Sequence, residues 1–371
     1  MPDQLKILLL ADVYSEHTEK WALGLAAQGI SVGLFSFNKA SYPWYEGVAN
    51  VEVLYEPSSQ LDTTSDTGKL AYLKHVGLLK QALRKFKPHV LHAHYATSYG
   101  LIGALSGFHP FVISAWGTDV MKFPQKNLLN RLMLKYNLRK ADVICATSFT
   151  IREYLKPVTD KNVQVIPFGV DTDVFCKKQV DSIFSSGTFV YGSIKPLNSL
   201  YNTDIMISAF AALKKRHPER QVKLLVIGEG PESANLERLV GELHLAQDVV
   251  FTGRVPFAKI ADYYNMLDVL VNISDYESFG VSVIEAMACE KPVIVTNTGG
   301  LKEIVENDKF GSLVEIRDVD QTAAEMEKYL LDPALTTRVG KRGREKVIEK
   351  YSWKNNIRQM IGVYRQLVIK L

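Results

Sequence analysis

The sequence predicts an α/β protein built from two Rossmann-like domains. Short apolar strands alternate with helical patterns from one end of the 371-residue chain to the other, which is typical of parallel sheets covered by helices. The alternation restarts after residues 166–171, and this length suits two domains of ordinary size. Such domains bind ligands at the carboxyl ends of their strands. We therefore expect the two domains to face each other across a cleft.

The predicted elements divide the chain into four segments. Strands are expected in the first half at residues 6–10, 31–35, 90–92, 111–113 and 143–145, with helices including 21–28 and 72–85. In the second half they are expected at 189–191, 222–227, 249–251, 269–271 and 293–295. We place the domains at 1–168 and 187–350, with a linker at 169–186 that is rich in Asp, Lys and Ser. The tail, 351–371, is predicted to be a helix with Ile357, Ile361, Tyr364 and Val368 near one face.

Composition favours an ordinary globular protein of the cytoplasm. Hydrophobic residues make up 47% and charged residues 23% of the chain, and no apolar run reaches the roughly 18 residues that span a bilayer. The first residues lead directly into a strand and lack a signal-peptide pattern. Three scattered cysteines show neither metal-ligand spacing nor a disulfide framework. A formal charge of +4 is mild, and no nucleic-acid partner is expected.

Glu277 and Glu285 are separated by seven residues and lie on either side of a predicted loop-to-helix junction. The first backbone N–H groups of a helix lack intrahelical partners and attract anions. Two carboxylates around an anion site can hold a sugar nucleotide. Spacing alone also allows a second interpretation, in which the glutamates are surface residues that complement the helix dipole.

This segment resembles family 4 of the retaining glycosyltransferases, whose signature is a Glu-x7-Glu motif. The resemblance continues through residues 291–300 and Glu303-Ile-Val and covers most of the chain. It implies the GT-B fold and transfer of a sugar, with retention, from a nucleotide-diphosphate sugar to the hydroxyl of a sugar or lipid-linked acceptor. The implied setting is the synthesis of a cell-surface polysaccharide, such as lipopolysaccharide or capsule, or of a glycolipid. No metal or other cofactor is implied.

The resemblance assigns roles around the glutamate pair. Glu285 would accept hydrogen bonds from the ribose hydroxyls. Glu277 would position the transferred sugar and stabilise positive charge at its anomeric carbon, while the leaving phosphate deprotonates the acceptor. The backbone N–H groups of Phe279 and Gly280, beside Ser278, would bind sugar hydroxyls or phosphate.

Further donor-binding residues follow two predicted strands of the second half. By resemblance, a turn containing Gly192 presents Lys195 to the pyrophosphate. The family places a second basic residue a few positions later, where this chain has Leu200-Tyr-Asn202. Arg254 is the candidate substitute, and an interdomain salt bridge is the alternative for it. The flanking Gly253 and Val255 would approach the nucleobase through their backbones.

The first half is expected to form the acceptor side. His94 belongs to the family's His-x-His and is predicted to lie at the catalytic centre; a metal pair with His92 would lack a third ligand. Trp116, Gly117 and Asp119 are predicted to shape the acceptor site. In many members of the family, the segment that corresponds to residues 12–21 contains paired glycines. This chain has none and resembles a subgroup with a His-Thr-x-x-Trp stretch.

Three features leave alternatives open. The Asp-x-Asp strings at 171–173 and 318–320 are interpreted as structural. Residues 128–140 predict a helix with Leu128, Leu129, Leu132, Met133 and Tyr136 on one face and Arg131, Lys135 and Arg139 beside them. This helix either covers the sheet and exposes its basic face, or attaches to an anionic membrane surface. For the whole protein, the alternatives are a non-catalytic sugar-nucleotide-binding subunit and a sugar-nucleotide epimerase.

Overall fold

The computed structural model describes residues 4–58, 66–306 and 309–369, with residues 66–73 described by their backbone only. The chain forms two compact units. The first comprises Met1–Pro167 and Asn356–Leu371, and the second comprises Phe168–Asn355. Residues 169–186, predicted as a linker, therefore group with the second unit. Residues 1–3 and 370–371, which belong to the predicted first domain and tail helix, lie outside the described residues.

The first unit contains a seven-stranded parallel sheet of order β3-β2-β1-β4-β5-β6-β7. Its strands are β1 (Lys6–Leu10), β2 (Ser31–Phe35), β3 (Val51–Tyr55), β4 (Val90–His94), β5 (Phe111–Ala115), β6 (Val143–Ala146) and β7 (Val163–Val165). Its helices are α1 (Glu16–Ala26), α2 (Asp66–Phe86), α3 (Ser98–Ser106), α4 (Thr118–Met121), α5 (Leu128–Lys140) and α6 (Phe149–Leu155). The central strands β4 and β5 are buried along their whole length, as expected of parallel strands covered on both faces.

The second unit contains a six-stranded parallel sheet of order β10-β9-β8-β11-β12-β13. Its strands are β8 (Phe189–Ile194), β9 (Val222–Ile227), β10 (Val249–Gly253), β11 (Val269–Asn272), β12 (Val293–Thr296) and β13 (Ser312–Val314). Its helices are α7 (Thr203–Arg216), α8 (Ser233–Glu242), α9 (Phe257–Met266), α10 (Val281–Ala288), α11 (Gly299–Val305), α12 (Val319–Leu331) and α13 (Pro333–Lys350). The two predicted Rossmann-like domains are confirmed.

The last helix, α14 (Trp353–Ile369), begins in the second unit and continues in the first. Ile357, Ile361 and Tyr364 of its predicted apolar face are buried, and Asn356 donates a hydrogen bond to the carbonyl of Pro167. Burial of this stripe explains why the tail groups with the first unit. Among the described residues, no helix is both long and apolar enough to cross a bilayer.

Helix α5 does not pack with the leucine face that the sheet-covering alternative requires. Its buried residues are Asn130, Leu134, Asn137 and Leu138. The amide of Asn137 donates to the carbonyls of Ala96 (2.9 Å) and Thr97 (3.2 Å), so an asparagine takes an inward position because it satisfies a loop. Leu128, Leu129 and Leu132, which that alternative places against the sheet, are exposed. The interpretation of α5 as a sheet-covering helix with a purely basic outer face is wrong.

The strand orders fix where each unit can bind a ligand. In both sheets the chain reverses its direction of growth in the middle, between β1 and β4 and between β8 and β11. Loops that leave such neighbouring strands in opposite directions open a crevice at their carboxyl ends. The loops after β1, β4, β8 and β11 are therefore the places to look for a site.

Candidate active site

Lys195 and Glu277 meet at the switch point of the second sheet. Lys195 follows β8 directly, and Glu277 lies in the loop between β11 and α10. Lys195 Nζ donates to Glu277 Oε2 at 2.5 Å, and it also lies 5.0 Å from the ring centre of Tyr201. The side chains are only 11% and 16% exposed. The two sequence-predicted residues, one for phosphate and one for sugar, thus form a single ion pair.

Gly192 has a different position from the one predicted. It lies inside β8 rather than in the turn after it, and a Cβ there would approach Leu267 Cδ2 to 2.4 Å. Close packing against Leu267 is therefore the reason for this glycine. Two glycines not singled out in the sequence instead enclose the Lys195 turn: a Cβ on Gly228 would lie 2.0 Å from the carbonyl oxygen of Lys195, and one on Gly230 would lie 2.2 Å from that of Leu197.

The loop that carries Glu277 is held by the glycine pair at the start of α11. Gly300 N–H donates to the carbonyl of Glu277 at 2.9 Å. A Cβ on Gly299 would lie 2.0 Å from the Glu277 carbonyl oxygen, and one on Gly300 would lie 2.6 Å from Phe279 Cα. Only glycines allow this backbone-to-backbone approach. Gly299 and Gly300 therefore fix the position of the loop that carries Glu277 and Ser278.

Phe279 and Gly280 complete the start of α10. Phe279 is buried, with its ring centre 5.9 Å from that of Phe168 and 5.7 Å from that of Tyr351. Gly280 precedes the helix with φ of 112°, and a Cβ there would press on Leu301 at 2.7 Å. The aromatic anchor and the glycine orient the first turn of α10, whose leading N–H groups lack intrahelical partners.

Glu285 is buried on α10 and accepts a hydrogen bond from Tyr264 Oη at 2.8 Å. Burial and the nearby carboxylate raise the pKa of the Tyr264 hydroxyl well above its usual value, so this hydroxyl stays a donor. The bond occupies part of the carboxylate's capacity of about four lone-pair sites.

The position of the missing second cation is occupied by a polar cluster. Asn202, in the left-handed conformation with φ of 49°, donates to Asp275 Oδ1 at 2.6 Å. Arg317 donates to both oxygens of the same carboxylate, from Nε to Oδ1 at 3.1 Å and from Nη2 to Oδ2 at 2.6 Å. This pairing lowers the pKa of Asp275. Because Asp275 is two residues before Glu277, the cluster also anchors the loop that carries Glu277.

Arg254 and its neighbours lie at the end of β10. The Arg254 side chain is exposed, and no carboxylate among the described residues of its own unit forms an ion pair with it. Gly253 adopts φ of 68° with open space around a built Cβ, and its carbonyl accepts from Gly228 N–H at 3.0 Å. Val255 is half-buried. This turn thus touches the loop that encloses Lys195.

His92 and His94 lie on one face of β4, as predicted, with ring centres 4.7 Å apart. His92 is bonded at both nitrogens, to Tyr364 Oη at 2.7 Å and to Ser114 Oγ at 2.8 Å, so it ties α14 to the sheet. His94 Nδ1 is buried and has no hydrogen-bond partner among the described residues. Burial, followed by His92 and His17, lowers the pKa of His94 well below its usual value. His94 is therefore a neutral imidazole with an unused polar atom.

His94 is surrounded by aromatic side chains. Its ring centre lies 4.5 Å from that of Trp116 and 6.4 Å from that of Trp21. Trp116 is largely buried and also contacts His17 and Tyr95. Burial lowers the pKa of His17 to about 4. His17 is not among the predicted site residues. Its place in the His-Thr-x-x-Trp stretch is the sequence signal that marks it.

Asp119 is buried and stabilises the loops of this site by accepting hydrogen bonds from their backbone N–H groups. Its Oδ2 accepts from Ala96 N–H at 2.7 Å, and its Oδ1 accepts from Gly117 N–H at 2.8 Å and Trp116 N–H at 3.2 Å. Burial raises its pKa while these bonds lower it. Asp119 thus joins the loops after β4 and β5. It shapes the site through backbone atoms, and its oxygens are already occupied.

The Asp-x-Asp strings have local structural contacts. Asp318 caps α12 by accepting from Gln321 N–H at 2.8 Å. Asp171 accepts from Asp173 N–H at 3.0 Å, and Asp173 pairs with Lys354 at 2.7 Å. In the part of the chain that the structure describes, no group of three or more His, Cys, Asp or Glu side chains could hold a metal ion.

Solved structures with the same fold define the class: this is a GT-B glycosyltransferase fold. Sucrose-phosphate synthase from Thermosynechococcus elongatus superposes with a TM-score of 0.82 at 22% identity, covering 99% of this chain and 100% of that one. HepE from Anabaena, in complex with UDP and glucose, superposes with a TM-score of 0.78 at 20% identity, covering 98% and 100%.

The sequence comparisons identify the family. The model for glycosyl transferases group 1 matches residues 177–346, and the glycosyl transferase 4-like model matches residues 6–148. N-acetyl-alpha-D-glucosaminyl L-malate synthase of Bacillus anthracis is 28% identical over 289 residues, 74% of each chain. D-inositol 3-phosphate glycosyltransferase of Corynebacterium jeikeium is 29% identical over 220 residues, 55% of this chain and 52% of that relative. The chain belongs to the group 1, or family 4, glycosyltransferases.

Proposed function

We propose that this protein transfers a hexosyl group from a nucleoside-diphosphate sugar to an acceptor hydroxyl with retention of configuration. The observation that carries the proposal is the Lys195–Glu277 pair at the switch point of the second sheet. A basic side chain for a diphosphate and a carboxylate for a sugar are needed side by side, and residues 82 positions apart in sequence supply them.

The pair is poised to exchange partners when the donor binds. Without a ligand, two mostly buried charges neutralise each other. A diphosphate oxygen replaces Glu277 as the partner of Lys195, in a charge-assisted bond that contributes roughly 1.5–3 kcal/mol. The leading N–H groups of α10, behind Ser278 and Phe279, favour the same anion. Glu277 is then released to accept from hydroxyls of the sugar.

The proposed reaction breaks the bond between the anomeric carbon and the diphosphate oxygen. A new bond forms between that carbon and the acceptor oxygen on the same face of the ring. The acceptor's proton passes to the leaving diphosphate, so no protein base is consumed. Glu277 orients the sugar and stabilises the positive charge at the anomeric carbon. Glu285, steadied by Tyr264, holds the ribose hydroxyls.

The first unit contributes the acceptor side in this proposal. His94 is neutral, and its unpaired Nδ1 can accept a hydrogen bond from a sugar hydroxyl. Asp119 and Gly117 fix the surrounding loops, and Trp116 forms a wall of the site. We propose a sugar or lipid-linked acceptor and a cytoplasmic role in polysaccharide or glycolipid assembly. No metal ion takes part.

Nucleoside diphosphate release from a panel of donor sugars tests the proposal. Uridine diphosphate sugars come first, because HepE, which shares the fold, was solved with UDP and with UDP-glucose. The wild type should release nucleoside diphosphate only when an acceptor is present. Glu277→Gln and His94→Ala should be slower by about 10²-fold or more. Glu237→Gln, on the exposed face of α8, is the matched control and should match the wild type.

A non-catalytic sugar-nucleotide-binding subunit is the second candidate, because no basic side chain other than Lys195 forms an ion pair with Glu277 among the described residues. Tight donor binding without turnover, for every sugar and lipid acceptor in the panel, would favour that function and refute the transferase proposal.

A further inference from the structure

Helix α5 exposes three leucines to solvent. Leu128, Leu129 and Leu132 are 70%, 74% and 54% exposed, although the opposite face of the helix is buried. Residues three and four apart lie on one side of a helix, so Leu128, Arg131, Leu132 and Lys135 form one continuous strip. A solvent-facing apolar strip of this kind normally marks a binding surface.

The charged side chains of residues 120–140 all have one sign. Residues 120–140 contain six basic side chains and no acid: Lys122, Lys126, Arg131, Lys135, Arg139 and Lys140. All six are exposed. Within the described part of the chain, no carboxylate forms an ion pair with Lys126, Arg131 or Lys135. Their charge therefore remains available to an anionic partner.

The neighbouring helix α6 extends this surface. Its aromatic residues Phe149 and Tyr154 are 53% and 42% exposed. A cavity of about 600 Å³ lies between the two helices, and its lining includes Leu128, Arg131 and Tyr154. Apolar walls with an arginine at hand suit a molecule that is anionic at one end and apolar along its length. Aromatic residues at the edge are typical of positions at a lipid headgroup layer.

We propose that this surface, formed by α5, α6 and residues 122–126, docks the enzyme onto an anionic lipid bilayer. Leu128, Leu129 and Leu132 enter the boundary between headgroups and acyl chains, and the six basic side chains bind lipid phosphates. The apolar strip and the six basic side chains of residues 120–140 together select this occupant. Glu153, the acid of α6, is already paired with Lys156 at 2.5 Å. A second copy of the chain would oppose like charges, and an acidic soluble protein would not require three protruding leucines.

Vesicle co-sedimentation of the purified full-length chain tests the proposal. The enzyme should sediment with phosphatidylcholine vesicles that contain phosphatidylglycerol, and not with phosphatidylcholine alone. Binding should weaken with salt, since each basic side chain near an anionic surface contributes a roughly five-fold gain in affinity. Neutralising Lys126, Arg131 and Lys135 by glutamine should therefore reduce the partition coefficient by about 10²-fold.

A second variant separates insertion from charge. Leu128→Ser/Leu129→Ser/Leu132→Ser retains every basic residue and should reduce partitioning by at least about 10-fold. Because the three side chains are exposed, the melting temperature should not change. Arg338→Gln/Lys341→Gln/Arg342→Gln, on the exposed face of α13, removes the same charge elsewhere and should bind like the wild type.

Any one of three results would overturn the proposal. No sedimentation of the wild type with anionic vesicles at low salt overturns the proposal. So does equal loss of binding in the α5 and α13 charge variants, because that result indicates net charge rather than this surface. Unchanged binding of the serine variant leaves only an electrostatic surface, as for an acidic protein partner, and also overturns it. The assay contains no donor sugar, so its outcome is independent of the proposed transferase activity.

Discussion

Replacing Gly300 by alanine should displace the loop that carries Glu277 without replacing any charged residue. The new Cβ would lie 2.6 Å from Phe279 Cα and 2.6 Å from the Ser278 carbonyl oxygen, whereas ordinary contact begins at 3.4 Å. Both neighbours are backbone atoms, so no side chain can rotate away. The loop must therefore shift by about 0.8 Å, the difference between these two distances.

That shift should affect activity more than stability. Overpacking of this kind costs about 1–3 kcal/mol of unfolding free energy, which lowers the melting temperature by roughly 2–4 °C per kcal/mol in a unit of this size. A misplacement near 1 Å at the reacting centre can slow catalysis about 10²-fold. We expect kcat/KM of Gly300→Ala to fall about 10²-fold in an assay of nucleoside diphosphate release.

Gly362→Ala is the matched control, because nothing lies within 4 Å of a Cβ built there, inside α14. It should retain wild-type kcat/KM and gain up to about 1 kcal/mol of stability from lost backbone freedom. If Gly300→Ala is stable and fully active, the idea that this close approach positions Glu277 is refuted.

Three further predictions follow from the same contacts. Lys195→Met should weaken nucleoside diphosphate binding by about 1.5–3 kcal/mol in titration calorimetry, through loss of a charge-assisted bond; unchanged affinity would remove Lys195 from the phosphate site. Tyr364→Phe leaves His92 Nδ1 unpaired in a buried site and should lower unfolding free energy by about 1–3 kcal/mol in denaturant titration; a neutral effect would deny that this bond anchors α14. Burial, followed by Lys20, lowers the pKa of the His17 imidazole from its usual 6.5 to about 4, so unfolded chains bind the extra proton between these values and stability should fall as pH drops from 6.5 to 4. His17→Gln should remove about 3 kcal/mol of that fall, and identical pH profiles for the two proteins would contradict the burial of a neutral imidazole.

The sequence was sufficient for the strands inside each sheet and for the edge strand β10, and insufficient for the other three edge strands. Strands such as β1 and β9 are largely apolar because helices cover both their faces, and their residues were predicted without error. The three strands that were missed, β3, β7 and β13, all lie at sheet edges. β3 and β7 are half-exposed, so their sequences mix polar and apolar residues and resemble loops.

Burial of asparagines misled the prediction of α5. A hydrophobic-face argument places leucines inside, yet Asn130 and Asn137 point inward because each donates to loop carbonyls. Those carbonyls belong to residues 123, 96 and 97. Such pairing depends on tertiary position, which periodicity does not contain.

The candidate site was likewise predictable only in part: its motifs could be found in the sequence, but its long-range contacts could not. Lys195 and Glu277 were identified separately through their motifs, while their direct contact required the strand order of the second sheet. Arg317 was not identified, because its bond to Asp275 joins residues 42 positions apart and no motif marks it. Gly192 was assigned to a turn because a strand glycine that packs against Leu267 has the same sequence appearance.

Proton NMR of the reaction tests the central claim most directly, by following the anomeric signal of the donor and that of the glycoside formed. With an α-linked nucleoside-diphosphate sugar and a competent acceptor, the wild type should consume the donor and yield an α-linked product. Glu277→Gln should yield it at least about 10²-fold more slowly. A β-linked product would contradict retention. A donor that binds but is never consumed would contradict the claim that this protein is a transferase.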